Sequence, residues 1–373
     1  MVWKTSIRPV FRKIHLILGI ISSFLIFIIA LSGSIYALQE EIQDYLFDYR
    51  FVKAEGVGLR LSQIEKIAET YLGDSAAVRV HQFSPNRATA VFFNDSQNHG
   101  YLFLNQYSGE VLHFQNFKND FFGILLRLHM YLLLPPELGR LIVGYTTIIF
   151  LLILISGIFL WIDIKNIKIW RWKRKSRWRR KNFDLHRNLG VLSLPFSALF
   201  IFTGLIWAFP SYQQYVFNLL GGQGKTPTLP KMESFTEFEN NTLKEDFIFD
   251  SLKTSKGDKL NYTVYFTNSP GDPLIISINE NLGSFSSLEF FAFDPGNGHP
   301  LKVNQRFGPY NKASLADKFL KQNYDIHTGG IGGTLGKIAA LLASLSISTL
   351  PITGIIILIG KKKKPKNPNK SKS

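Results

Sequence analysis

The sequence predicts an integral membrane protein with four transmembrane α-helices in two tandem parallel repeats, each repeat enclosing an α+β domain outside the membrane. Three observations predict this fold class. Four apolar runs among the 373 residues are long enough to cross a bilayer, since about 20 helical residues span a hydrocarbon core of roughly 30 Å. The two long connections carry helix and strand patterns. Short motifs recur in the same order in both halves. The runs are 14–38, 140–162, 187–209 and 337–360.

The net charge of +16 predicts the topology. Basic residues concentrate in the N-terminus, in the loop 165–181 with its ten Lys and Arg, and in the tail after Gly360 with its seven Lys. Positively charged segments stay in the cytoplasm, so both termini are expected there and the long connections outside. A nucleic-acid partner is disfavoured, because Trp beside Lys and Arg is typical of a lipid interface.

Two further features limit the classes of protein and site. The first apolar run is too long for a signal peptide and lacks a small-residue cleavage site, so we expect a retained anchor. The chain has no Cys, which excludes disulfides and thiolate-bound metal or iron–sulfur sites. Any metal is therefore expected on His, Met, Asp or Glu.

The predicted organisation has eight segments. They are the cytoplasmic N-terminus with the first span (1–38), the first outer domain with the segment before the second span (39–139), the second span (140–162), the basic cytoplasmic loop (163–182), the third span (183–209), the second outer domain (210–336), the fourth span (337–360) and the lysine-rich cytoplasmic tail (361–373).

The outer domains are expected to contain a helix and strand hairpins. Residues 61–72 have helical apolar spacing, with Ser62 as the expected N-cap. A turn at Gly109 joins two alternating stretches, as in a hairpin. The expected strands are 77–83, 88–94, 100–105 and 110–114 in the first domain, and 247–250, 261–267, 273–278, 288–294 and 299–303 in the second.

Four histidines recur with matched surroundings, and ionisable residues in or near membrane helices are candidate functional sites. His15 and His186 open the first and third runs and are expected near the cytoplasmic face. His129 and His327 precede the second and fourth runs and are expected near the outer face. An axis along the membrane normal would pair His15 with His186, and His129 with His327. Two facing imidazoles can ligate one haem iron axially, which favours electron transfer over gas binding. The alternative is interfacial histidines bonded to the backbone.

Small and charged residues recur around these histidines. Ser or Thr followed by Gly recurs once in each run, and these glycines would offer a porphyrin close approach; ordinary helix packing is the alternative. Four cationic residues would pair with haem propionates, the alternative being contact with lipid headgroups. The glycines are Gly33, Gly157, Gly204 and Gly354, and the cations are Arg12, Arg187, Arg140 and Lys337.

The chain resembles the PepSY-associated transmembrane family over almost its whole length. The resemblance rests on Phe11-Arg-Lys-Ile-His-Leu-Ile-Leu-Gly19, Phe183-Asp-Leu-His-Arg-Asn-Leu-Gly190, Ile326-His-Thr-Gly-Gly330 and Leu335-Gly-Lys337. It implies a bacterial inner-membrane location and two periplasmic PepSY-like domains. Some members are similar to haem-containing reductases that release iron from ferric siderophores.

The expected function is that of a di-haem b protein that passes electrons outward to a ferric siderophore or other ferric chelate. No hydrolase, flavin or nicotinamide motif is present, so the donor would be a quinol or a cytoplasmic reductase. The alternatives are a non-enzymatic PepSY regulator that binds a partner, and a siderophore or metal permease.

Overall fold

The structure is a computed structural model that describes residues 3–73, 77–94, 99–162, 177–226, 242–266, 272–294, 297–303 and 308–360. The chain divides into two compact units. We call them the helical unit (1–37, 127–208 and 338–373) and the sheet unit (38–126 and 209–337).

Eleven α-helices are found among the described residues. They are α1 (Trp3–Tyr36), α2 (Gln39–Leu46), α3 (Leu61–Leu72), α4 (Phe121–Tyr131), α5 (Pro136–Ile162), α6 (Trp178–Leu192), α7 (Leu194–Ala208), α8 (Pro210–Leu219), α9 (Thr242–Lys256), α10 (Leu315–Thr328) and α11 (Gly333–Ile359). The strands are β1 (Ala77–Gln82), β2 (Thr89–Asn94), β3 (His99–Leu104), β4 (Val111–Asn116), β5 (Asn261–Tyr265), β6 (Leu274–Asn279), β7 (Glu289–Phe293) and β8 (Pro300–Leu301).

Three helical segments are long and apolar enough to cross a membrane: Ile7–Tyr36, Pro136–Trp161 and Gly330–Ile359. A fourth span requires α6 and α7 together, and these helices meet at a bend of 56°. The sequence predicted an unbroken third span. The break follows from Pro195, which has no N–H to continue the helical hydrogen bonding across Ser193. The basic loop residues 163–176 and the tail 361–373 lie outside the described residues.

The sheet unit contains one antiparallel sheet with the order β4-β3-β2-β1-β5-β6-β7-β8. Strands from both outer segments meet at its centre, where β1 pairs with β5 through Arg79–Tyr265 and His81–Thr263. The two outer segments, predicted as separate domains, therefore share one sheet and one compact unit. This pairing satisfies the backbone groups of two strands that would otherwise be exposed edges.

Helices α3 and α9 contribute to the main core of the sheet unit, together with residues such as Val80, Val264 and Ile276. The predicted strand at 247–250 is wrong, because these residues lie inside α9. Ile248, Phe249 and Leu252 are buried while Phe247 is exposed, which is the burial pattern of one helix face.

The predicted N-cap of α3 is also wrong. Arg60 occupies the N-cap position, and its backbone N–H donates to Gln63 Oε1 at 2.9 Å. The Ser62 hydroxyl instead donates to Asp246 Oδ2 at 2.5 Å, and its backbone N–H donates to Oδ1 at 3.0 Å. Ser62 therefore links α3 to α9, the corresponding helix of the second outer segment.

Candidate functional site

His15 is held by two groups of α5. Its Nδ1 lies 3.1 Å from the carbonyl oxygen of Ile153 and 3.0 Å from Ser156 Oγ. The Ser156 hydroxyl uses its own hydrogen on the Ile153 carbonyl, at 2.8 Å. Both partners therefore act as acceptors towards the ring, so Nδ1 carries the proton. In the neutral ring, Nε2 then has the lone pair that a metal needs.

His186 is held in the same way by α11. Its Nδ1 lies 2.8 Å from Thr353 Oγ1. The Thr353 hydroxyl has two carbonyl acceptors at 3.0 Å, from Thr349 and Leu350, and so accepts from the ring. A hydrogen-bond acceptor on Nδ1 is the usual arrangement for a metal-ligating histidine, because it fixes both the tautomer and the orientation of the ring.

The rings of His15 and His186 face each other across the helical unit. Their centroids are 6.3 Å apart and their planes are perpendicular, at 90°. Two imidazoles that share one metal at about 2 Å each have ring centres roughly 6 Å apart. The observed spacing is close to this value, so the two rings would be able to hold one metal ion or haem iron between them. This is the pair that the repeated motifs predicted.

Two of the recurring glycines lie beside these rings. A Cβ on Gly157 would be 3.4 Å from His15 Cε1, and a Cβ on Gly354 would be 3.5 Å from His186 Cε1. The glycines were predicted to give a porphyrin close approach. In the structure each is close to a histidine ring, while the preceding hydroxyl residue binds Nδ1 of that ring. Each Ser/Thr-Gly pair thus holds a histidine ring in place, and we call such a contact site a histidine seat. The recurrence of these pairs is visible in the sequence, but this role for them was not predicted.

His129 has an equivalent seat on α1. Its Nδ1 lies 2.8 Å from the carbonyl oxygen of Ile29. A Cβ on Gly33 would lie 2.6 Å from His129 Cε1 and 2.7 Å from Nδ1, so this ring position requires glycine. His129 is in the last turn of α4, within the helical unit.

His327 is in the last turn of α10, within the sheet unit. Its pairing with His129 remains a prediction because the two residues belong to different units, and so does the approach of a porphyrin to Gly204 of α7.

The motifs Leu138-Gly139-Arg140 and Leu335-Gly336-Lys337 each contain a glycine that is required by a close backbone contact. A Cβ on Gly139 would lie 2.2 Å from the carbonyl oxygen of Tyr131, and a Cβ on Gly336 would lie 2.2 Å from that of Gly329. Tyr131 and Gly329 each follow a candidate histidine by two residues. In both places a glycine therefore allows the start of a candidate span to pack directly against the backbone that follows the histidine.

The four predicted cations have different surroundings. Arg12 and Arg140 are exposed. Arg187 lies 3.6 Å from Asp184 Oδ1 and donates to Asn188 Oδ1 at 3.1 Å. Lys337 donates to Glu41 Oε1 at 2.6 Å. Two of the four cations thus already have protein partners, and their predicted role towards propionates remains a prediction.

The predicted ligand set of the helical unit consists of two histidines, His15 and His186. Within the described ranges, no group of three or more His, Cys, Asp or Glu side chains could hold a metal ion. A porphyrin supplies four nitrogens of its own, so two facing histidines complete its coordination. The centroid spacing of His15 and His186 agrees with this requirement, and haem binding at this pair remains a prediction.

A set of three or four candidate spans joined to an antiparallel sheet unit defines a polytopic membrane protein with a folded extramembrane part. The chain belongs to the PepSY-associated TM region family, whose model matches residues 12–361. A search among curated proteins gave no match.

Proposed function

We propose that this protein is a di-haem b inner-membrane protein that passes electrons outward to reduce a ferric siderophore or another ferric chelate. One observation carries the proposal: the facing His15 and His186 rings, 6.3 Å apart with their planes at 90°, each held through Nδ1. A regulator or a permease has no need of such a pair.

Bound haem would supply one-electron chemistry, and this chain's residues would bind and orient it. His15 and His186 would each present Nε2 to the iron. Ser156 and Thr353 would keep the Nδ1 protons in place. Hydrogen bonds of this kind to a ligating histidine tune a metal site as well as orienting its ligands. With both axial positions filled by protein, the site would favour electron transfer over binding of a small gas molecule.

The second site in the proposal uses His129 and His327 near the outer face. The contact of His129 Nδ1 with the carbonyl oxygen of Ile29 supports it, because His15 makes the same kind of Nδ1 hydrogen bond to the carbonyl oxygen of Ile153. The electrons would enter from a quinol or a cytoplasmic reductase, and the acceptor would dock on the periplasmic side. Ferric iron held by hard oxygen ligands is released more readily once it is reduced.

The proposal includes two tandem parallel repeats with PepSY-like outer domains. The matched glycine contacts at Gly139 and Gly336 support a repeat. So does the sheet, in which each outer segment contributes a helix followed by four strands, and the strand order is symmetric about the β1–β5 pair. The basic loop and tail support cytoplasmic termini.

A visible spectrum of the purified protein tests the proposal. We expect low-spin b-type bands, oxidised and dithionite-reduced, and about two haems per chain. The reduced protein should be reoxidised by a ferric chelate, with ferrous iron trapped by a chelator. A colourless protein from haem-replete cells would instead favour the non-enzymatic regulator or the permease.

Single substitutions test the pairing. His15→Ala and His186→Ala should each remove the same haem and leave the other, because each deletes one axial ligand of one iron. His299→Ala is a suitable control, because His299 lies in the sheet unit near a turn. If His15→Ala and His186→Ala remove different haems, the pairing is wrong.

A further inference from the structure

A cationic and aromatic patch lies at the centre of the sheet, around Arg79 and His81 of β1. These residues are two apart on one strand, so their side chains share a face of the sheet. The direct cross-strand partners of Arg79 are Phe92 on β2 and Tyr265 on β5. The Arg79 guanidinium lies 4.3 Å from the Phe92 ring centre and 5.6 Å from that of Tyr265. The guanidinium is thus flanked by two aromatic rings.

Among the described residues Arg79 has no ion-pair partner, and its Nε is buried without a hydrogen bond. The buried Arg50 of the same unit contrasts with it, because Arg50 is paired with Glu40 and Asp44. A buried N–H group that lacks an acceptor is costly, so an acceptor from outside the chain would stabilise the Nε of Arg79.

His81 adds a second unsatisfied group beside the first. Its Nδ1 lies 2.8 Å from Thr263 Oγ1, while its Nε2 is buried without a partner. Burial and the neighbouring Arg79 lower the pKa of His81 to about 3, so the ring is neutral at pH 7. When the Thr263 hydroxyl donates to Nδ1, the ring proton is on Nε2 and is available to an acceptor.

The direct cross-strand partners of His81 are small, whereas those of Arg79 are aromatic. The His81 ring also lies 5.4 Å from the Tyr101 ring and 6.0 Å from the Phe83 ring. His81 is flanked by Ala90 and Thr263, and Ser277 follows Thr263 across the sheet. A row of small side chains therefore runs next to a row of aromatic ones on the same face. The unsatisfied groups on this face are the buried Arg79 Nε and His81 Nε2 beside flat rings, and as hydrogen-bond donors they suit a planar oxyanion.

We propose that this face of the sheet binds a carboxylate-bearing anion, with Arg79 and His81 as its donors. The planar guanidinium fork matches a carboxylate, and such charge-assisted bonds are about twice as strong as neutral ones. The carboxylate belongs either to a free polycarboxylic acid or to its ferric complex. This binding does not depend on the haem sites.

Calorimetric titration of the full-length protein in detergent tests the proposal, with citrate and ferric citrate as separate probes. We expect saturable binding of at least one probe with a Kd of about 1 mM or tighter. Tighter binding of ferric citrate would identify the chelate as the ligand, and equal binding would identify the free acid. No saturation by either probe, or tighter binding of inorganic phosphate than of both, would overturn the proposal.

Matched variants locate the site. Arg79→Gln should weaken binding at least tenfold, by roughly the loss of one charge-assisted hydrogen bond. His81→Phe should weaken it less, and Arg79→Lys should give an intermediate effect because it keeps the charge but loses the fork. Lys66→Gln removes the same charge at an exposed position of α3 and should leave binding unchanged. Unchanged binding in folded Arg79→Gln and His81→Phe would exclude this face.

Discussion

Among Gly33, Gly157 and Gly354, substitution of Gly33 by Ala is expected to displace its histidine ring most, because the added methyl group would overlap His129. The new Cβ would lie 2.6 Å from Cε1 and 2.7 Å from Nδ1 of His129, well inside ordinary van der Waals contact. The His129 ring cannot move away at low cost, because its Nδ1 makes a 2.8 Å hydrogen bond to the carbonyl oxygen of Ile29. Ile29 lies on α1, the helix that also carries Gly33. We therefore expect the substitution to displace His129 and break this hydrogen bond.

The cost of Gly33→Ala follows from these two losses. Overpacking a filled interior costs about 1–3 kcal/mol, and a lost hydrogen bond adds about 1 kcal/mol. The free energy of unfolding should therefore fall by about 2–4 kcal/mol. Gly157→Ala and Gly354→Ala are matched controls, because their Cβ atoms would meet the histidine rings at 3.4 and 3.5 Å, close to normal contact. These two variants should lose under about 1 kcal/mol.

Chemical unfolding in detergent, followed by tryptophan fluorescence, measures these differences, and haem content gives a second readout. If the proposed function holds, Gly33→Ala should lose the outer haem and keep the inner one. The reasoning is refuted if Gly33→Ala unfolds with the same free energy as the wild type, or if Gly157→Ala loses as much free energy of unfolding as Gly33→Ala. In either case the contact distances would not determine how well the histidine rings are held.

Three further predictions concern the sheet unit and the topology. Asp325→Ala should cost about 3 kcal/mol in chemical unfolding, because this buried carboxylate accepts from Ser284 Oγ and from the backbone N–H groups of residues 285 and 286 at 2.8–3.1 Å. Burial, and then Glu245, Glu69 and Asp246, raise the pKa of Glu65 from 4.5 to about 7. Because the folded state then holds this proton more tightly than the unfolded state, stability falls as pH rises from 4.5 through 7. Glu65→Gln should therefore raise the unfolding temperature at pH 8 and change it little at pH 4; the reverse order would contradict this sign. Reporters fused near Asn98 or after Lys259 should read as periplasmic, and a cytoplasmic signal would contradict the four-span topology.

The sequence alone determined where the chain is membrane-like and that His15 and His186 lie close together. Apolar run length predicted α1, α5 and α11, because the thickness of a bilayer sets the length of a span. The repeated motifs predicted that His15 faces His186, and the rings are 6.3 Å apart. Alternation and turn residues predicted the hairpin of β3 and β4 around Gly109, which has a positive φ of 77°.

Only the tertiary structure decided the features that depend on long-range contacts. The apolar residues 247–249 suggested a strand, yet packing against the sheet selected a helix with Phe247 exposed. Nothing local indicates that β1 pairs with β5, since strand pairing depends on which edges meet in space. The role of Gly157 and Gly354 could not be predicted from the sequence either, because the histidine ring that each of them contacts lies on another helix. Hydropathy and motif spacing are properties of the chain, whereas the partner of each side chain is fixed only when distant segments pack together.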